Sequence, residues 1–167
     1  MISIIIPTFN EEDRLPKTLE KIAKFVKSDP DNFEVIVVDD ASTDNTSKVA
    51  KNFDDKIHNF KVMRLEKSPL AGKGYAVNKG VLASKGELIL FTDADGSTPI
   101  EELEKLLKKI DEGFDIAIGS RALQRSTVQK RQSVLREYMG RIFNILVRTL
   151  TVKGIVDTQC GFKLFRR

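Results

Sequence analysis

Short apolar runs rich in β-branched residues, each ending in polar or small residues, alternate along this chain with segments of helical period. Ile2 to Pro7, Glu34 to Val38, Phe60 to Leu65, Glu87 to Thr92 and Asp115 to Gly119 read as strands, and their near-continuous apolar content predicts burial on both faces. Between them the spacing predicts helices over about Arg14 to Lys27, Thr43 to Phe53, Gly74 to Ser84 and Pro99 to Glu112. Ser42 or Thr43 and Thr98 stand where caps belong, with Pro99 at a favoured first helical position. This βαβαβαβαβ order predicts an α/β fold: a mostly parallel, Rossmann-like central sheet flanked by helices, with ligands beyond the carboxyl ends of the strands. From Arg121 to Gln132 the chain is polar and aperiodic, which reads as a loop. A helix is expected from about Ser133 to Leu150, and Asp157 to Phe165 reads as a loop entering a strand.

A length of 167 residues suits one domain. No stretch approaches the roughly 20 apolar residues of a membrane-spanning helix, and a first strand at Ile2 leaves no room for a leader. Cys160 is the only cysteine, so neither an intrachain disulfide nor a thiolate zinc site is expected and a cytoplasmic setting fits. His58, the only histidine, lies in a polar stretch and reads as a surface residue. Charge changes the picture more. Residues 1–119 carry 17 Lys/Arg against 22 Asp/Glu, whereas residues 120–167 carry 11 against 2. The basic end calls for an anionic partner, and composition alone leaves phosphate, membrane surface and nucleic acid open.

Candidate chemistry gathers at the strand ends. Asp93 and Asp95 lie two residues apart where an apolar strand runs out, so in extended chain both would face one side. At roughly 6 Å and an effective dielectric near 20 their repulsion is on the order of 3 kcal/mol, which a hard cation, Mg²⁺ or Mn²⁺, would reverse. Solvated turn aspartates explain the spacing equally well. Asp39 and Asp40 end another strand, and adjacent strand residues face opposite ways, so one is expected to line the cleft. Pro7-Thr8-Phe9-Asn10-Glu11-Glu12 ends the first strand, adding acceptors for a nucleoside and an aromatic ring that could stack on it. Gly72-Lys73-Gly74 opens a helix without P-loop spacing, and no G-x-G-x-x-G occurs, which disfavours cofactor redox chemistry. A receiver-like module also clusters acids at strand ends, so these residues alone do not force an enzyme.

In combination the motifs resemble family 2 glycosyltransferases of the GT-A fold, above all the dolichyl-phosphate and polyprenyl-phosphate sugar synthases. The resemblance rests on SIIIPTFNEE at 3–12, VIVVDDASTDNT at 35–46, AGKGYAVNKG at 71–80, SKGELILFTDADGSTP at 84–99, IAIGSR at 116–121 and DTQCGFKLF at 157–165. The stretch from Val152 to Lys163 most resembles the dolichyl-phosphate β-glucosyltransferase group. The resemblance implies that Pro7, Phe9, Glu11, Asp39, Lys73, Asp93 and Ala94 bind the donor. It further implies that Asp93 and Asp95 hold Mg²⁺ or Mn²⁺, and that Arg121, Arg136 and Gln159 meet the acceptor phosphate. Where mannosyl-phosphate synthases commonly carry glutamine two positions after the second aspartate, this chain has Ser97, which leans the donor from GDP-mannose toward UDP-glucose.

The reaction so implied is attack by a polyprenyl or dolichyl phosphate oxygen on the anomeric carbon, with inversion and loss of the nucleoside diphosphate. A phosphate monoester, with a second pKa of about 6, is already ionised, so a missing catalytic histidine is no obstacle. Asp95, Arg121 and Asp157 are the catalytic candidates, with Asp157 orienting the acceptor or serving as base toward a hydroxyl. The expected organisation is one GT-A catalytic domain over 1–167, with a nucleotide-sugar-binding part at 1–119 and an acceptor-binding part at 120–167. Similar enzymes usually continue beyond the DTQCGFKLF motif. Between Arg121 and Arg136 five basic residues occur with no acid, and the apolar face of the following helix is compatible with an anionic membrane. The expected location is peripheral, on the cytosolic face of a membrane, with no nucleic-acid partner. The alternatives are GDP-mannose as donor, a saccharide hydroxyl as acceptor, or a nucleotide-binding module without catalysis.

Overall fold

The computed structural model describes residues 1–120 and 160–167. The loop expected over 121–132, the helix expected over 133–150, and Arg121, Arg136, Asp157 and Gln159 lie outside the described residues. Six strands form one sheet: β1 (Ile2–Thr8), β2 (Phe33–Asp39), β3 (Phe60–Arg64), β4 (Leu88–Thr92), β5 (Ile116–Ile118) and β6 (Phe162–Arg166). Their order is β3-β2-β1-β4-β6-β5, parallel from β3 to β4, with β6 antiparallel to both β4 and β5. The chain leaves β1 toward β2 and β3, then returns to place β4 on the other side of β1. The order of connection therefore reverses between the parallel neighbours β1 and β4, which is where α/β sheets open a crevice for ligands.

All seven residues of β1 and of β2 are buried. Alternation splits them between two cores: Ile2, Ile4, Ile6, Val35 and Val37 face one side, Ile5, Ile36 and Val38 the other. The larger core is closed by α1 (Leu15–Val26), α2 (Thr46–Lys51) and α4 (Leu103–Asp111), which bring Leu15, Leu19, Ile22, Ala50, Leu103, Leu106 and Ile110. The other face is covered by α3 (Lys73–Ala83) through Ala76 and Gly80. A Cβ at Gly80 would lie 2.4 Å from Ile5 Cγ2, so this helix reaches the sheet closely because a glycine faces it.

Among the described residues the expected strands and helices form, with three corrections. Two-sided burial fails for β3 and β5, which are edge strands: β3 is only partly covered and Ile116 is exposed. Ser42, Thr43 and Thr98 do not cap helices. The second helix starts at Thr46, because Ser42 and Thr43 are taken by Asn10, and Pro99 precedes a short 3-10 turn, Ile100–Glu102, that leads into α4. The strand expected near Phe165 forms, but between β4 and β5 and antiparallel to them. His58 is surface-exposed near Asp31, and Cys160 is buried.

Candidate functional site

The register puts the carboxyl ends of β1 and β2 level, Thr8 beside Asp39. The loops that follow are hydrogen-bonded to each other. Asn10 N–H donates to Ser42 Oγ (3.0 Å), Thr43 N–H to Asn10 Oδ1 (2.9 Å), Glu11 N–H to Thr46 Oγ1 (2.8 Å) and Asn45 N–H to Glu12 Oε2 (2.8 Å). Asp44 completes this lattice, accepting from the amides of Glu12 and Thr46 and from the Thr46 hydroxyl. Burial works against ionised Asp44, but those hydrogen bonds prevail and hold its carboxyl below its ordinary value. Much of the polar content of these two loops thus serves to fix their shape, which includes left-handed backbone at Asn10 and Ala41.

The two acids ending β2 divide their work. Asp39 is fully buried, and both of its oxygens are engaged: Oδ1 accepts from Ser42 N–H, while Oδ2 accepts from the Ser47 hydroxyl and from Arg64 Nη1. Arg64 is its register partner on β3, which explains that pair. Asp40 Oδ2 accepts from Gly72 N–H at 2.6 Å and so fixes the start of α3. Its Oδ1 is buried with no hydrogen-bond partner among the described residues, and the same holds for Glu11 Oε2. Buried acceptors left open cost roughly 1–3 kcal/mol each, so a donor group that reached either oxygen would be favoured.

Strand β4 ends at Thr92, so Asp93, Ala94 and Asp95 stand on a turn, and the extended-chain argument for their convergence does not apply. Thr18 of α1 holds this turn by donating to Ala94 O at 2.8 Å, and the Ala94 side chain is buried in the core. Asp95 is exposed and accepts from Ser97 N–H at 2.9 Å. Asp93 Oδ1 pairs with Lys73 Nζ at 2.6 Å, and that ammonium also lies 5.1 Å from the Phe91 ring centre. Thr92 faces Phe162 across the β4–β6 ladder, which sets Gly161 beside Asp93. A Cβ at Gly161 would fall 1.9 Å from Asp93 Oδ2, so the carboxylate occupies the space a side chain would need.

Glu11, at the other side of the crevice, is pushed above the ordinary carboxylate value by burial and by the nearby charges of Asp95 and Asp44, against the opposing pull of Arg14. The crevice therefore carries excess negative charge before any ligand enters. Hard carboxylate oxygens suit Mg²⁺ or Mn²⁺, and a lysine ammonium already seated on Asp93 marks where positive charge is favourable. Among the described residues no cluster of three or more His, Cys, Asp or Glu is assembled, so an ion here would draw further oxygens from its ligand. Phe9 stands at the crevice mouth, more than half exposed, and Pro7 is buried in β1.

The sequence profile for glycosyl transferase family 2 matches residues 3–167. This chain belongs to that family. Among its family 2 relatives, the dolichyl-phosphate β-glucosyltransferase of Homo sapiens is 42% identical over 99% of this chain and 55% of that protein. Of solved structures, S. aureus TarS 1–349 in complex with UDP-GlcNAc is 35% identical over 70% of this chain and 33% of that one, with a TM-score of 0.61. The mannosyltransferase PcManGT from Pyrobaculum calidifontis, in complex with GDP-Man and Mn²⁺, shares the fold. It is 23% identical over 99% of this chain and 44% of that one, with a TM-score of 0.67. The sheet is accordingly that of the GT-A fold. The chain spans about half the length of the curated relatives it matches.

Within this family 2 chain the structure brings Glu11, Lys73, Asp93 and Asp95 to one crevice, and adds two residues that sequence reasoning did not assign. Asp40, not Asp39, carries the open oxygen. Strand alternation could only say that one of the pair lines the cleft, because the choice depends on Arg64 and Ser47 reaching Asp39. Gly161 was not singled out, since only the β4–β6 register sets it against Asp93.

Proposed function

We propose that this chain is the donor-binding and catalytic part of an inverting transferase that moves glucose from UDP-glucose to dolichyl or another polyprenyl phosphate. The observation that carries the reading is the single crevice at the β1/β4 reversal, where Glu11 Oε2 and Asp40 Oδ1 are open acceptors beside Asp93, Asp95 and Lys73. Open acceptors suit the N–H and O–H groups of a nucleoside, and exposed Phe9 offers a face for its base. Asp93 and Asp95 would hold Mg²⁺ or Mn²⁺, which supplies charge neutralisation to the leaving diphosphate. Lys73, which already pairs with Asp93, would meet the same diphosphate. The name shared by the relatives supports glucose as the sugar and dolichyl phosphate as the acceptor, and Ser97 supports uridine over guanosine.

On the acceptor side, Arg121 and Arg136 would grip the lipid phosphate, with Gln159 beside it and Asp157 orienting the attacking oxygen. The net positive charge of residues 120–167 suits this partner and the anionic cytosolic surface on which it would be met. No helix among the described residues is long and apolar enough to cross a membrane. Transfer of labelled glucose to dolichyl phosphate in detergent with Mn²⁺ tests the proposal. UDP-glucose should serve as donor, with turnover at least a hundredfold lower after Asp95→Ala in a folded sample. Transfer from GDP-mannose alone would overturn the donor, and undiminished turnover in the variant would overturn the site.

A further inference from the structure

Lys73 is the first residue of α3, and its place is set by Asp40, which accepts from the Gly72 amide just before it. Its ammonium sits 2.6 Å from Asp93 Oδ1 and is held from below by the Phe91 ring at 5.1 Å. Gly161 lies against the same carboxylate: a Cβ there would fall 1.9 Å from Oδ2 and 2.6 Å from Oδ1, so the group fits only because that residue is glycine. An ammonium thus already holds Oδ1 of Asp93.

We infer that Lys73 is a positioning residue that stands in for the divalent ion on Asp93 while the donor is absent, and moves onto the donor diphosphate when ion and donor enter together. This rests on the reading of Asp93 and Asp95 as the ion-binding pair. A small divalent ion such as Mg²⁺ binds oxygen at about 2.0–2.1 Å, so ammonium and ion on one oxygen would set three positive charges within a few ångströms. One of the two must leave. Lys73 is more than half exposed on a flexible four-carbon stem, so it is the group that moves. Its lost partner is replaced only if another anion arrives, and a nucleoside diphosphate brings one. The ion alone therefore binds weakly, and ion and nucleotide strengthen each other by the same factor. Phe91 and Asp93 return the lysine to its resting place when the product leaves.

Binding of Mn²⁺ to the whole chain, followed by the electron-spin-resonance signal of the free ion with and without UDP, tests this independently of turnover. For the unaltered chain, UDP should tighten Mn²⁺ at least tenfold. Lys73→Met should bind Mn²⁺ alone several-fold to tenfold more tightly than the unaltered chain and lose most of the gain from UDP, whereas Lys73→Arg should restore weak binding of the ion alone. Circular dichroism checks that each variant is folded. If Lys73→Met binds Mn²⁺ alone no better than the unaltered chain, while the unaltered chain still takes up Mn²⁺ with UDP, the inference fails and the ion site stands. If UDP brings no Mn²⁺ to the unaltered chain, the ion site fails and the inference with it.

Discussion

Asp44 joins two loops with one side chain, accepting from the Thr46 amide at 2.9 Å on one oxygen and from the Glu12 amide at 3.2 Å on the other. Because its carboxyl titrates below the ordinary 3.8, the stabilisation it gives is present above that value and is lost as pH falls through the depressed one. Asp44→Ala should therefore lower stability by about 1 kcal/mol at pH 7, the usual net worth of a side-chain hydrogen bond. The gap should close in urea titrations as pH falls through the depressed value. Glu11 has the opposite sign: its carboxyl is raised, so its contribution is intact below 4.5 and fades as pH rises through the raised value. At this scale the sequence showed which residues were chemically capable, but not who their partners were. Asn10 belongs to a run that reads as nucleoside acceptors in the sequence, yet it is taken up by Ser42 and Thr43 across gaps of more than 30 residues.

At the scale of elements, the strands were legible because β1 and β2 are buried on both faces and their β-branched runs are unbroken. Helix starts were less so: Ser42 and Thr43 have the chemistry of caps, and only the neighbouring loop decides otherwise. The position of β6 was not legible, since nothing local says that a strand after residue 160 inserts between β4 and β5. Opposite the crevice, the amino-terminal ends of the strands are pinned by Glu34. It accepts from the Ser3 hydroxyl at 2.6 Å and the Lys85 amide at 2.9 Å, while Gly86 N–H donates to Ser3 Oγ at 2.8 Å. Glu34 is almost fully buried, so Glu34→Ala should leave those donors unpaired and cost about 2–3 kcal/mol, measured as a lower urea midpoint at pH 7. Donor binding at the far end of the sheet should be unchanged in the fraction that remains folded.

In the molecule as a whole, the two ends of the sheet have separate tasks. One end ties β1, β2 and the segment before β4 together, and the other opens where β1 and β4 part and gathers negative charge from three loops. Asp93 stands at the centre of that end, touched by Lys73 from α3 and by Gly161 from the start of β6. Family membership was legible from six motifs spread over the chain, because their order survives where each alone is weak. The central claim is that this crevice binds a uridine diphosphate sugar through an ion on Asp93 and Asp95. Isothermal calorimetry of UDP-glucose, with and without Mn²⁺, on the unaltered chain and on Asp95→Ala tests it most directly. The account predicts saturable, Mn²⁺-dependent binding that falls at least tenfold in the folded variant. Binding of equal strength without Mn²⁺, or undiminished in Asp95→Ala, would contradict it.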